Sequence, residues 1–549
     1  MTNAPVLLAL TVVALTLFGA CTGDQAESQS AETETLGEER SVFNADELGT
    51  VDLPVSCNAG AAAAMEHGLA LLHHMAYTEA GFVFQTVLEE DPSCGMGYWG
   101  RAMTLIHPVW VDTPTGAELD QGWAFVEQAL ALGPKTERER AYIDAVGAYF
   151  RDAHQREERE REISFHQGWQ NVHERFPEDW EATAFYVLTS LSVGRFENGE
   201  PLVPRAAAGA LMEELLDKVP DHPAGHHYAI HAYDSPTLAS KALDVARSYG
   251  ELTPEVPHAL HMPTHIFTQR GLWSESIELN ERSAAAAWKQ GQRNNGIDGH
   301  YPHALAYLIY AYLQTGQDTK AQAVRDRALS VEGPFSQLDI ESFARHLAEI
   351  PVLYALERHA WEEAAQLEPG LPASVPWDER FAQYNATTHF GRTIGYARGG
   401  DARAAREALV QLQSALIGTG LPGGQTLSMA ATAWVEYAEG EFEQAVITMA
   451  AAAERSISVS WSRQPLPAGE LLGDMYLELG RYEEALTAYE AVLDRQPNRF
   501  NSLYGAARSA ELFGSPEKAK EYYGKLVEMT VDESTRPEVE QARAFLASV

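Results

Sequence analysis

Near the C-terminus, "YLELGRYEEALTAYEAVLDRQP" places Gly480, Ala485 and Tyr489 in a pattern that returns 34 residues later as Gly514, Ala519 and Tyr523. This period constrains the fold more than composition can. A unit of this length is one helix–turn–helix that cannot bury its apolar face alone, so neighbouring units must stack into an array. The glycine permits the tight turn. The small residue five positions on lets two helices approach closely, and the aromatic fills the space between units. Weaker copies run back along the chain as Gly440/Ala445, Gly400/Ala405, Gly316/Ala321 and Gly271/Ser276. Ala364 and Ala80 keep the small residue without the glycine. No run of alternating β-branched residues interrupts them.

This spacing is the tetratricopeptide pattern. It predicts an all-α chain: a tetratricopeptide-repeat solenoid of antiparallel helix pairs forming a right-handed superhelix. The expected segments are 1–20 as a signal peptide of lipoprotein type and 21–54 as a flexible polar tether. A degenerate histidine-rich array at 55–330 follows, then helical pairs at 331–420 and the best-formed repeats at 421–549.

Residues 5–20, "PVLLALTVVALTLFGA", are almost wholly apolar, end in small residues and are followed by Cys21. That anatomy reads as a bacterial lipoprotein signal, with lipid carried on Cys21 and the chain exported to the periplasm or cell surface. No Lys or Arg precedes the run, and Phe18 stands where Leu is usual, so a plain secretory signal or a membrane helix stays open. The run is short for a membrane span. The polar segment that follows lacks large apolar residues to bury. With Cys21 set aside, Cys57 and Cys94 remain. In an exported chain they are read as a disulfide, with two buried thiols as the alternative.

The chain carries 40 basic and 78 acidic residues, a formal charge of −38. Nucleic acid, which demands a basic surface, is excluded as a partner on that ground. No phosphate-binding glycine loop, serine elbow or HExxH is present.

The stretches "GLALLHHMAYTEAGFVFQTVLEEDPSCGMGYWGRAMTLIHPVW", "HHYAIHAYDSP", "HALHMPTHIFTQRGLW" and "HALAYLIYAYLQTG" resemble a widespread bacterial group of exported tetratricopeptide proteins with this histidine motif. The resemblance covers residues 57–320 well and the rest loosely. The group is defined by its repeats rather than by a reaction. The resemblance therefore implies fold and location and supplies no catalytic residue.

Nine of the nineteen histidines fall between residues 222 and 303, where even spreading would place about three. A buried neutral imidazole needs a donor and an acceptor, and clustered imidazolium ions repel one another. Such a cluster is economical if something binds it. On the repeat frame set by Gly271, His258, His261 and His265 take positions 2, 5 and 9. His227 and His231 take 5 and 9 of the preceding unit, His303 takes 2 of the next, and His73 takes 13 of the first. The repeat family implies that these positions face one concave groove. His227/His231 and His261/His265 are i, i+4 pairs, a standard way of presenting two imidazoles to one ion, and zinc, copper or iron suits them. The expected metal ligands are therefore His227, His231, His261 and His265, with His258, His303 and His73 beside them. Asp234 and Asp298 could ligate or orient. For any one of these histidines, a packed ring hydrogen-bonded to a carbonyl is the bland alternative. His67, His107, His226 and His300 are read as structural or surface. Pro263 either kinks a helix or starts a new one.

Three functions follow as expectations: a metal-binding groove, a scaffold that captures a protein or peptide without metal, and a metal-dependent oxidase or hydrolase. No substrate is legible.

Overall fold

The computed structural model describes residues 43–110, 112–194, 202–335, 340–377, 379–419, 423–456 and 466–549. Cys21, the signal segment and the first part of the tether lie outside them. Among the described residues the regular structure is helical, with short 3-10 turns and a single isolated bridge between Ile297 and Phe335. None of their helices is long and apolar enough to cross a membrane.

The helices follow one another as antiparallel pairs. Ala59–His73 packs on Tyr77–Glu90, Glu137–Phe150 on Glu158–Arg175, and Trp273–Arg293 on His300–Gln314. Asn385–Arg398 packs on Ala402–Leu416, and Tyr482–Arg495 on Phe500–Phe513, with Pro537–Ser548 closing the array. The repeat glycines do what the pattern requires: Gly271, Gly316, Gly400, Gly440, Gly480 and Gly514 all have positive φ. In the two copies without glycine, Met75 and His359 stand five residues before Ala80 and Ala364 and take the same left-handed conformation, at φ 57° and 53°. The small residues Ala80, Ser276, Ala321, Ala364, Ala405, Ala445, Ala485 and Ala519 are all fully buried, as a helix–helix contact demands.

Two features depart from the expected layout. Residues 43–54 are not a free tether, because Phe43, Leu48 and Leu53 are buried against the first units. The Phe43 and Leu48 carbonyls bond the rings of His67 and His74. The array also returns on itself. Trp273 Nε1 donates to Asn498 O at 2.8 Å, Asn498 Nδ2 to Gly271 O at 3.2 Å, and Val531 N to Thr315 O at 3.1 Å. A Cβ at Gly271 would lie 2.0 Å from the Pro497 carbonyl oxygen, so this turn glycine also admits the returning chain.

Arg499 anchors that return. Its guanidinium reaches Glu470 through Nε at 2.7 Å and Nη2 at 2.9 Å, and Glu357 through Nη2 at 2.7 Å. It also bonds the Tyr310 hydroxyl. Arg499, Glu357 and Glu470 are at most 1% exposed. Cys57 and Cys94 are joined, sulfur to sulfur at 1.95 Å, tying the segment just ahead of the first helix pair to the N-cap of Gly95–Met103.

Candidate metal centre

Pro263 starts a new helix. The chain forms Pro257–His261 and then Pro263–Arg270, with a proline at the first turn of each, where its missing N–H costs nothing. The junction falls between His261 and His265 yet leaves their Nε2 atoms 3.0 Å apart, while His258 turns to His227. An earlier helix, Pro223–Tyr233, supplies His227 and His231, and His300–Gln314 supplies His303.

The imidazoles converge in two groups rather than one. Among the described residues, His227, His231 and His258 bring one ring nitrogen each within 4.8 Å of the others, and His261, His265 and His303 do the same. The four histidines of the two i, i+4 pairs thus divide, and His258 and His303 each complete a trio. His73 joins neither. Its Nε2 lies 2.7 Å from Glu181 and its Nδ1 3.0 Å from the Tyr228 hydroxyl. Only its carbonyl takes part, accepting from His227 Nδ1 at 2.6 Å.

The hydrogen bonds assign tautomers. Asn280 Nδ2 donates to the Ser276 carbonyl at 2.8 Å, which leaves Asn280 Oδ1 to accept from His261 Nδ1 at 2.8 Å. His265 Nδ1 donates to Asp234 Oδ2 at 2.8 Å, and Gln269 steadies Asp234 through Oδ1 at 3.0 Å. With both protons on Nδ1, the two Nε2 lone pairs face each other at 3.0 Å. Lone pairs so placed repel unless a proton or a cation lies between them. The other trio repeats the arrangement. His227 Nδ1–H is committed to the His73 carbonyl, so Nε2 carries a lone pair, and His231 and His258 both aim Nε2 at it, at 3.1 Å and 3.0 Å. One lone pair cannot serve two donors.

In the His227/His231/His258 trio, burial, reinforced by neighbouring imidazoles, favours the neutral rings. It drives His231 down to about 3, with His265 adding to the effect, and pushes His227 and His258 well below the ordinary histidine value. Neutral imidazole is the form that binds a metal.

Sequence reasoning missed several neighbours. His346 stacks on His303 with ring centroids 4.3 Å apart, and His300 lies 4.7 Å from His258. Asn280 is fully buried and sits in the Ser276–Asn280–Ser283 stripe, where the helical spacing signalled a polar group on a core-facing side. Asp298 lies outside both trios. Burial, with Glu79 nearby, pushes its carboxyl up to about 7 against a bond from His300 N–H.

His74 makes a separate prediction. Fully buried between the Tyr249 hydroxyl and the Leu48 carbonyl, each at 2.9 Å, it is driven by burial to about 3. The folded value lies below the unfolded one, so the unfolded chain takes the proton first. Stability therefore falls as pH drops below about 6.5 and continues to fall towards 3. Between pH 8 and pH 5 this one ring accounts for a loss of about 2 kcal/mol. Urea midpoints across that range should slope less steeply in His74→Gln; parallel curves would remove His74 as the cause.

Comparison with known proteins adds the following. Residues 470–499 match the family model "Tetratricopeptide repeat". No curated protein sequence matches the chain. Among solved structures, a human IFIT1 dimer with PPP-AAAA is similar at 13% identity over 76% of this chain and 88% of that one, with a TM-score of 0.38. The human IFIT1 dimer with m7Gppp-AAAA gives 12%, 87%, 96% and 0.39. A tetratricopeptide repeat protein from Parabacteroides merdae ATCC 43184 gives 13%, 53%, 97% and 0.29. Likeness at these scores carries nothing about partners.

Proposed function

We propose that this protein holds transition-metal ions at two neighbouring three-imidazole sites, His227/His231/His258 and His261/His265/His303, set into a helical-repeat array. One observation carries the reading: His261 and His265 turn their Nε2 atoms towards each other at 3.0 Å while Asn280 Oδ1 and Asp234 Oδ2 stand against their Nδ1 atoms on the far side. A carboxylate or carbonyl behind a ligating histidine is the usual outer support of such a site. Nitrogens bound to a tetrahedral ion at ~2.0–2.1 Å stand about 3.3 Å apart, close to the spacing here. Zinc, copper and iron all suit imidazole. Three protein ligands leave a coordination position for water or substrate, which is where a metal-dependent hydrolase or oxidase would begin. The exported, lipid-anchored location belongs to the same proposal and rests on residues 5–21 alone.

The test is reconstitution. The full chain, stripped by chelator and dialysed against zinc, should recover about two equivalents. His258→Ala and His303→Ala should each lose about one, whereas His154→Ala, at an exposed ring, should lose none. Unchanged stoichiometry in both site variants would defeat the assignment.

A protein-binding scaffold is the second reading. The repeat match at 470–499 favours it, as do Val410, Ile417 and Ile447, which are exposed on Ala402–Leu416, just after it, and on Phe442–Ser456. It places capture on the C-terminal repeats and needs no metal.

A further inference from the structure

Against the His258 trio lies a cavity of about 60 Å³; His258 forms part of its wall, and neither reading uses the rest. Tyr77, His107 and Trp110 form an aromatic side, and Glu79, Gln290 and Asp298 supply oxygen atoms. Among the described residues, no Lys or Arg lines it.

Several of its polar atoms are buried without a partner. Gln290 Oε1 and the Tyr77 hydroxyl accept no hydrogen bond, and these residues are 3% and 7% exposed. Gln290 spends its amide N–H on Glu79 Oε1, so its carbonyl oxygen is fixed as an acceptor. Asn294 Nδ2 approaches the same Glu79 oxygen at 3.4 Å. Glu79 is itself buried and raises its neighbour Asp298 electrostatically. Two carboxyl groups in one recess, with amide and backbone donors against them among the described residues, favour a positive guest. An orphaned buried acceptor costs free energy until a donor reaches it. Anions are opposed by both carboxyls, and a neutral apolar guest would leave Gln290 unserved.

The aromatic side is built to stay in place. Tyr77 stacks on His107 at 4.3 Å between ring centroids and meets Trp110 edge-on at 5.3 Å. Trp110 Nε1 donates to Met75 Sδ at 3.2 Å. The residue before it, Val109, is β-branched yet takes φ 65°, held by a bond from its N–H to Ser192 Oγ at 3.0 Å. Such strain is retained where surrounding structure enforces it, and it concentrates at ligand sites. Aromatic faces attract cations through the ring quadrupole.

From the aromatic side, the two carboxyls and the orphaned Gln290 and Tyr77 oxygens, we infer that this cavity binds a small organic ammonium ion, its N–H groups taken by Gln290, Glu79 and Asp298. The inference does not depend on metal at the trios.

Calorimetric titration of the full chain with ethylammonium chloride tests it, on chelator-stripped and zinc-reconstituted protein in parallel. Ethanol, sodium acetate and potassium chloride serve as controls. Saturable binding of ethylammonium is expected in both preparations, weakened roughly tenfold or more by Glu79→Gln. Gln290→Leu should weaken it too, which keeps the test open if Glu79→Gln misfolds. Absence of saturable heat up to about 50 mM, well above the weak end of the affinity scale, would overturn the inference. So would ethanol or potassium ion binding as well as ethylammonium. Zinc stoichiometry measured on the same samples reads the metal proposal separately.

Discussion

Replacing Arg499 by Met is expected to destabilise the protein by about 3–5 kcal/mol, the range for removing one partner from a buried ion pair. The cause is not the lost attraction so much as what remains. Glu470 and Glu357 are at most 1% exposed and would face each other across the site with no cation between them. Burial already raises the Glu470 carboxyl against the pull of Arg499. Without the guanidinium, folding would require protonating one or both acids. Adding Glu470→Gln to Arg499→Met should therefore recover part of the loss. Urea unfolding of the two single variants and the double variant measures it. An Arg499→Met loss under about 1 kcal/mol, as for an exposed pair, would show that the contact is not buried in solution. Tyr310, Glu357, Glu470 and Arg499 come from four different repeats, so this variant also tests whether the array closes on itself.

Removing the Cys57–Cys94 link should cost about 4 kcal/mol. The bond closes a loop spanning a sequence separation of 37 residues, and loop-closure entropy in the unfolded chain sets that magnitude, within an observed spread of roughly 2–5. The loop contains the whole first helix pair, including His73 and His74. The Cys57→Ala/Cys94→Ala double variant should lose stability by the same amount as wild type under reductant. A fall in the variant alone would point to packing around the sulfurs instead.

The repeat grammar was legible because it is local. Gly271 and Gly514 mark turns that their own neighbours dictate, and Met75 and His359 could have been placed at turns by counting back five from Ala80 and Ala364. The closure through Arg499 was not legible. It joins residues 142 positions apart, and whether they meet depends on the rise and rotation accumulated over several units. The histidine pairs were legible for the same reason as the turns: an i, i+4 spacing puts two rings on one face. Their third partners were not. The split into two trios follows from where His258 and His303 arrive on separate helices, and spacing within one helix carries no information about that. His73 shows the limit of the repeat frame. It stands at the end of Ala59–His73, and its ring turns to Glu181, 108 residues away, instead of to the other imidazoles.

Metal binding at the two trios turns on imidazole nitrogens that face one another. The most direct measurement is elemental analysis, with X-ray absorption at the metal edge, on full-length protein purified without chelators. About two equivalents of zinc, copper or iron are expected, each with imidazole nitrogens at ~2.0–2.1 Å. Less than about 0.2 equivalents of any transition metal, with none regained on reconstitution, would contradict it and leave a proton between His261 and His265.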